Sequence, residues 1–149
     1  MKGIRHKTRV RVRNFEGDWQ GIVHNSIYLE YFEIGRMEYL RGIGYIPDLA
    51  SINRGSRVVL ARNEIDYVRP ARFDDLLEIG TKVSLVGTSS FVFEGVISIH
   101  KTKILIAKNQ AVHVWLHPSG GYPVSVPQRF LRQVEKYERR EIPRKITDL

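Results

Sequence analysis

The chain has no cysteine among its 149 residues. That excludes a disulfide framework, a cysteine nucleophile and thiolate metal sites. No run of apolar residues approaches the length needed to span a bilayer. The basic start MKGIRHKTRVRVRN has no apolar stretch behind it to make a signal peptide. A soluble, cytoplasmic protein is expected, with no membrane partner. Also missing are the G-x-S-x-G elbow, the P-loop, G-x-G-x-x-G, H-E-x-x-H and any acidic metal-loop spacing, so the commonest hydrolase and nucleotide-binding signatures are absent. Neither a helix-turn-helix nor an aromatic-rich RNA-binding strand motif is present, and no nucleic-acid partner is expected. There is no internal repeat, linker or low-complexity tract.

What is present suits one domain spanning residues 1–149, since 42% hydrophobic content at this length supports a proper core. Lys and Arg number 24 against 16 Asp and Glu, a net charge of +8. Charge alone favours a polyanionic partner, whether nucleic acid, a membrane surface or a phosphorylated small molecule, or serves as a solvated surface kept for solubility.

The chain is organised around the stretch from Phe15 to Gly44. Gly17 and Gly21 bracket Asp18 and allow a tight turn that carries the carboxylate back toward the residues after it. Asn25 or Ser26 is the expected N-cap of a long apolar helix of about 16 residues, about 24 Å long. Gly42 and Gly44 stop it, with Pro47 beyond. Around this helix the sequence offers strands. Lys7–Asn14 alternates basic and apolar residues, with Val10 and Val12 inward. Pro47–Gly55 is a polar connection. Arg57–Arg69 places Val59, Ala61, Ile65 and Tyr67 on one side. Further strands follow over Glu78–Val86, Phe91–His100 and Ile104–His117, joined by short turns that demand antiparallel pairing. The order predicts an α+β architecture: strand, helix, then a four-stranded antiparallel meander whose buried face takes the helix. Past it, Pro127 opens a short amphipathic C-terminal helix.

Three groups of residues invite chemistry. Asp18 beside a helix start could act as general base or nucleophile, with free backbone N–H groups to hold an oxyanion; an Asp flanked by glycines also reads as a turn residue. Glu33 and Arg36, three apart, read as an ion pair at the helix edge. Arg36 nonetheless falls in the apolar arc, where a charge wants a partner, and Glu33 could itself be a base. His113 and His117 flank Trp115 on one strand face, as two metal ligands or as packing residues.

The stretch from Asp18 through Gly21, Val23, Asn25 and Tyr28 to Phe32, Glu33 and Arg36 resembles the D-x-x-G-x-V-x-[NH]-x-x-Y…FE-x-x-R signature of hot-dog-fold acyl-CoA thioesterases of the 4-hydroxybenzoyl-CoA thioesterase and YbgC-like group. Tyr67-Val-Arg-Pro70-Ala71-Arg-Phe-Asp-Asp75 resembles a second landmark of that family. The segments Ser90-Phe91-x-Phe93 and Ala111-Val112-His113-Val114 follow in the family's order. The resemblance implies a hot-dog fold, a long helix wrapped by a five-stranded antiparallel sheet, that hydrolyses a fatty or aromatic acyl-CoA. It assigns the catalytic carboxylate to Asp18 and the carbonyl-polarising N–H to Asn25. It places Ser26, Tyr28, Glu33, Ser89 and Ser90 against substrate, and it implies no metal and no cofactor. Homodimers or homotetramers are implied, with acyl-CoA, or an acyl group on acyl carrier protein, as substrate; the alternatives are a hot-dog dehydratase with His24 as its base and a non-enzymatic acyl-CoA-binding module. The family often has His at the Asn25 position and an aromatic residue at the His24 position, and Asp74 replaces its usual Gly.

Overall fold

β-Branched and aromatic residues at period two build five strands around one helix. In the computed structural model, which describes residues 3–45 and 57–145, these are β1 (His6–Arg11), β2 (Arg57–Tyr67), β3 (Leu76–Val86), β4 (Ser90–Ile99) and β5 (Leu105–Leu116). Helix α1 spans Asn25–Gly42 between β1 and β2, and α2 spans Gln128–Glu138 after β5. The expected polar connection Pro47–Gly55 lies outside the described residues. One antiparallel sheet runs in the order β1-β3-β4-β5-β2, giving the α+β architecture of a helix held in a five-stranded sheet. Among the described residues no helix is long and apolar enough to cross a membrane.

The sheet departs from a four-stranded meander in one respect. Only β3, β4 and β5 follow one another; β2 pairs with β5 at the far edge, and β1 takes the free side of β3. The reason lies in the segment after β2. The amides of Val68 and Arg69 bond Ile106 O, at 2.9 and 3.0 Å. The chain then crosses to β1, where Asp74 N–H donates to Val12 O and Val12 N–H to Asp75 O. That crossing carries β3 to the opposite edge from β2.

Strand β2 also breaks strict alternation. Its register against β5 slips between Leu60 and Arg62, so Val58 pairs with Trp115 and Leu60 with His113, while Asn63, Ile65 and Tyr67 continue the same face beyond the bulge. Val58 packs on the core, and Ala61, expected inward with Val59, is exposed.

Two apolar clusters sit along α1. Toward its N-terminus, Tyr28, Tyr31 and Phe32 pack with Leu77, Ile79, Ile97 and Ala107. Toward its C-terminus, Tyr39 and Ile43 pack with Val83, Phe91, Phe93, Trp115 and the α2 residues Phe130 and Val134. Between them the helix touches the sheet at Gly35, where an added methyl would lie 2.7 Å from Ile79 Cγ2 and Thr81 Oγ1. From the sheet side Gly95 leaves room for Phe32, whose Cδ1 would stand 2.6 Å from a Cβ there. Beyond Gly42 the chain turns through the left-handed Gly44, with Tyr45 N–H closing on Leu40 O at 2.8 Å.

His113 enters this core from β5, its ring stacked on Phe91 with centroids 5.4 Å apart. Burial first, then the positive Arg36, push its pKa down to about 4, so the folded chain keeps it neutral.

Two outcomes follow. Gly35→Ala adds a methyl to a contact already closed, an overpacking cost of about 1–3 kcal/mol, against which the better helix propensity of Ala returns at most about 1 kcal/mol. Urea unfolding should show a net loss, and a gain would refute the close packing. Because the unfolded chain takes up a proton on His113 near pH 6.5 that the folded chain refuses until about 4, stability should fall as pH drops through that window and level off below it. His6, also lowered by burial, adds to the same slope. Thermal melts of His113→Gln between pH 7 and pH 4 should show a flatter dependence than wild type.

Candidate active site

Glycine spacing and one buried carboxylate shape the loop before α1. Glu16 is 1% exposed. Its carboxylate accepts the Arg13 backbone N–H at 2.7 Å, the Arg13 guanidinium at 3.0 Å and the Tyr31 hydroxyl at 2.9 Å. Burial alone would raise its pKa; these donors outweigh burial and hold it below the usual carboxylate range. Glu16 thus pins the loop to α1, and its own carbonyl accepts His24 N–H at 2.9 Å.

Asp18 begins a tight turn on this anchored base. Its N–H donates to Ile22 O at 2.8 Å, its carbonyl accepts from Gly21 at 3.1 Å, and Gly21 takes the left-handed φ of 78° that the turn requires. Asp18 Oδ1 accepts Gln20 N–H at 2.7 Å, and Oδ2 has no protein partner among the described residues. The side chain is half-buried. It lies on the Tyr28 side of the helix: Tyr28, whose pKa is raised chiefly by burial, also feels the negative charges of Asp75 and Asp18.

The helix start corrects the expected cap. Neither Asn25 nor Ser26 is the N-cap; His24 is, in an extended conformation, with Nδ1 accepting Ser26 N–H at 3.2 Å and lying 2.7 Å from Ser26 Oγ. An imidazole nitrogen folded back over the first turn replaces the short side-chain oxygen usual at this position. Asn25 is then the first helical residue, exposed, and its N–H belongs to the turn whose donors have no intrahelical acceptor. Tyr67 from β2 donates to Asn25 O at 3.1 Å. Tyr28, 4% exposed, accepts Ala71 N–H at 2.9 Å, and Ala71 O accepts Val23 N–H at 2.9 Å. The first landmark and the second are therefore stitched together at the N-terminal end of α1.

The remaining candidates lie apart from this end. Ser89, 8% exposed, ends the β3–β4 turn and Ser90, 2% exposed, opens β4, beside the C-terminal cluster of the core. Within one chain they lie toward the C-terminal end of α1, whereas Asp18 lies at its start. Ser90 Oγ has no hydrogen-bond partner among the described residues. Glu33 is exposed, and it forms no ion pair with Arg36; the two interact only through space, because Arg36 turns inward to bond Asn109 Oδ1 at 3.4 Å. His117 lies past the end of β5, stacked on Tyr122 and accepting the N–H groups of Ser119 and Gly120, while His113 is in the core. Among the described residues no group of three His, Asp or Glu could hold a metal.

A cavity of about 610 Å³, within the usual range for small-molecule sites, opens between α1 and β2, β4 and β5. Leu29, Glu33, Arg36, Met37 and Leu40 line its helix side, and Phe91, Phe93, His113 and Trp115 its sheet side. Sequence reading missed Glu16, Tyr31 and Asn109 as site-shaping residues. Each is an ordinary polar side chain until the fold buries it.

The Thioesterase superfamily profile matches residues 20–105, covering α1, β2, β3 and β4. The acyl-CoA thioester hydrolase YbgC of Escherichia coli is 27% identical over 128 residues, 85% of this chain and 93% of its own. The acyl-CoA thioesterase YbgC of Haemophilus influenzae is 35% identical over 85 residues, 57% of this chain and 62% of its own. Among solved structures, a Thermus thermophilus thioesterase crystallised with coenzyme A and Zn superposes with a TM-score of 0.81 at 30% identity, covering 95% of this chain and all of that one. With the matched profile spanning the Asp18 turn's end, the capped helix and the crossing segment that binds them, this chain belongs to the thioesterase superfamily and has its hot-dog fold.

Proposed function

We propose that the protein hydrolyses a fatty or aromatic acyl-CoA, with Asp18 as the acting carboxylate and the Asn25 backbone N–H as the donor to the thioester carbonyl. The placement of Asp18 carries this reading: a half-buried carboxylate with one uncommitted oxygen, on a braced turn beside the free donors of a helix start. A thiolate is a good leaving group, so one carboxylate and preorganised N–H donors suffice without a Ser or Cys nucleophile. In the general-base route Asp18 takes a proton from water, and the water oxygen adds to the carbonyl carbon. The carbonyl oxygen's developing charge falls on the Asn25 N–H. Collapse breaks the carbon–sulfur bond and releases the thiolate, which takes up the proton. In the nucleophilic route Asp18 attacks first and water cleaves the resulting anhydride.

The other residues fit around this centre. Ser26 presents its hydroxyl on the exposed first turn; Tyr28 and Tyr67 hold the helix start against the crossing segment. Glu33 stands at the mouth of the cavity. Ser89 and Ser90 contribute to binding if a second copy brings its β3–β4 turn to this chain's Asp18, which is why we read the assembly as a homodimer or homotetramer. The +8 charge supports recognition of the coenzyme A phosphates and equally of an acidic acyl carrier protein delivering the acyl group. The chemistry calls on no metal or cofactor. A cytoplasmic location is part of this reading.

Thiol release from a panel of short, long and aromatic acyl thioesters of coenzyme A and of carrier protein should show turnover of at least one class. Asp18→Asn should lower kcat by ~10² or more, the range for a lost catalytic acid–base group, with an unchanged circular dichroism spectrum. No release from any thioester overturns the reading. A retained rate in Asp18→Asn moves the carboxylate role to Glu33, testable with Glu33→Gln.

A further inference from the structure

The cavity beside α1 is lined mostly by apolar side chains; its polar lining is Glu30, Glu33, Asn63, His113 and two cations, Arg57 at the exposed edge and Arg36, which is buried. Arg36 is 8% exposed. No carboxylate pairs with it among the described residues; Glu33, three residues earlier, acts on it only through space. Its one hydrogen bond is the 3.4 Å contact from Nη1 to Asn109 Oδ1. Asn109 cannot swing toward it, because its amide group donates to Asn63 Oδ1 and, at 2.7 Å, to Glu64 O. The neighbouring imidazole of His113 is neutral and offers no countercharge. A guanidinium has five donors, so most of this one's hydrogen-bonding capacity faces the cavity.

Burying an unpaired charge is costly, and natural structures recover that cost by pairing it. Among the described residues, the unfilled space next to Arg36 that could supply a partner is this cavity. A guanidinium fork matches a carboxylate in two parallel bonds. The cavity begins at Leu29, one turn past the donors at the start of α1, and runs to Leu40. Arg36 stands eleven residues from Asn25, about 16 Å along the axis. An extended chain advancing about 1.2 Å per bond covers that in roughly a dozen bonds.

Resting on the thioesterase reading above, we infer that this cavity selects acyl groups with an apolar body and a carboxylate at the far end, that is, monothioesters of α,ω-dicarboxylic acids, and that Arg36 is the residue that selects them. The thioester lies at the helix start and the free carboxylate meets Arg36; Phe91, Phe93 and Trp115 flank the methylene chain.

The test compares suberoyl-, sebacoyl- and dodecanedioyl-CoA with octanoyl-, decanoyl- and dodecanoyl-CoA in wild type, Arg36→Met and Arg36→Lys. Wild type should prefer the ω-carboxylated member of at least one pair by ~10-fold or more in kcat/KM. Arg36→Met should abolish that preference mainly through KM, and Arg36→Lys should retain part of it. Calorimetric binding of free dodecanedioate against dodecanoate provides a readout that needs no hydrolysis. Equal or better use of the plain acyl-CoAs by wild type overturns the inference and leaves the hydrolase reading standing. Tighter binding of the dicarboxylate without turnover of any thioester sustains the selectivity and removes the hydrolase reading. If Arg36→Met does not fold, the wild-type ratio and the binding comparison decide alone.

Discussion

The contact on which the rest depends is the near-touching approach of α1 to the sheet at Gly35 and Gly95. Each glycine stands where a Cβ would come within 2.7 Å of a core side chain on the other element. Removing those two methyls lets the helix axis settle close to β3 and β4, so that Tyr31, Phe32 and Tyr39 are fully buried. Their burial supplies the apolar stabilisation that a long helix and a five-stranded sheet need from each other. Everything at the candidate site is positioned relative to that seated helix.

Buried carboxylates fix what apolar packing leaves free to slide. Glu16 ties the Asp18 loop to Tyr31 on α1. At the other end Glu138 accepts the Tyr39 hydroxyl at 2.7 Å and Val83 N–H at 2.8 Å, and pairs with Arg140, whose guanidinium also bonds Val83 O at 2.6 Å. Val83 borders the bulge in β3, so α1, α2 and β3 meet at one carboxylate. On the opposite face of the sheet Glu78, against the cost of burial, is held at a pKa of about 2 by Lys7, Lys103 and His100. Such groups discriminate against other registers because leaving any of them unpaired in the core is costly.

This arrangement separates two tasks along one helix. The end held by Glu16, His24 and Tyr67 offers the carboxylate and the free backbone donors of α1. The flank facing β2, β4 and β5 offers room and an unpaired cation. A rigid helix with about 1.5 Å rise per residue fixes the separation between the two.

The sequence by itself determined the helix around which the fold is built, because its apolar arc, glycine stops and Asp18 turn are local signals with known periods and dihedral demands. It determined the last four strands to within two residues at their ends, and the first to within three, since β1 stops at Arg11 rather than Asn14. It also carried a set of ordered motifs specific enough to place the chain in its family. Only the tertiary structure decided that β2 crosses to the far edge, because that depends on bonds between residues 68–75 and the distant Val12, Val23 and Ile106. It decided that the face of β2 switches at Leu60, since a bulge is a property of a strand pair. It decided that His24 caps α1, that Arg36 turns away from Glu33, and that Ser89 and Ser90 sit toward the opposite end of α1 from Asp18. The physical reason is common to these cases: hydrogen-bond partners and burial are set by which segments meet, and residue spacing along one segment does not encode the other side of the contact.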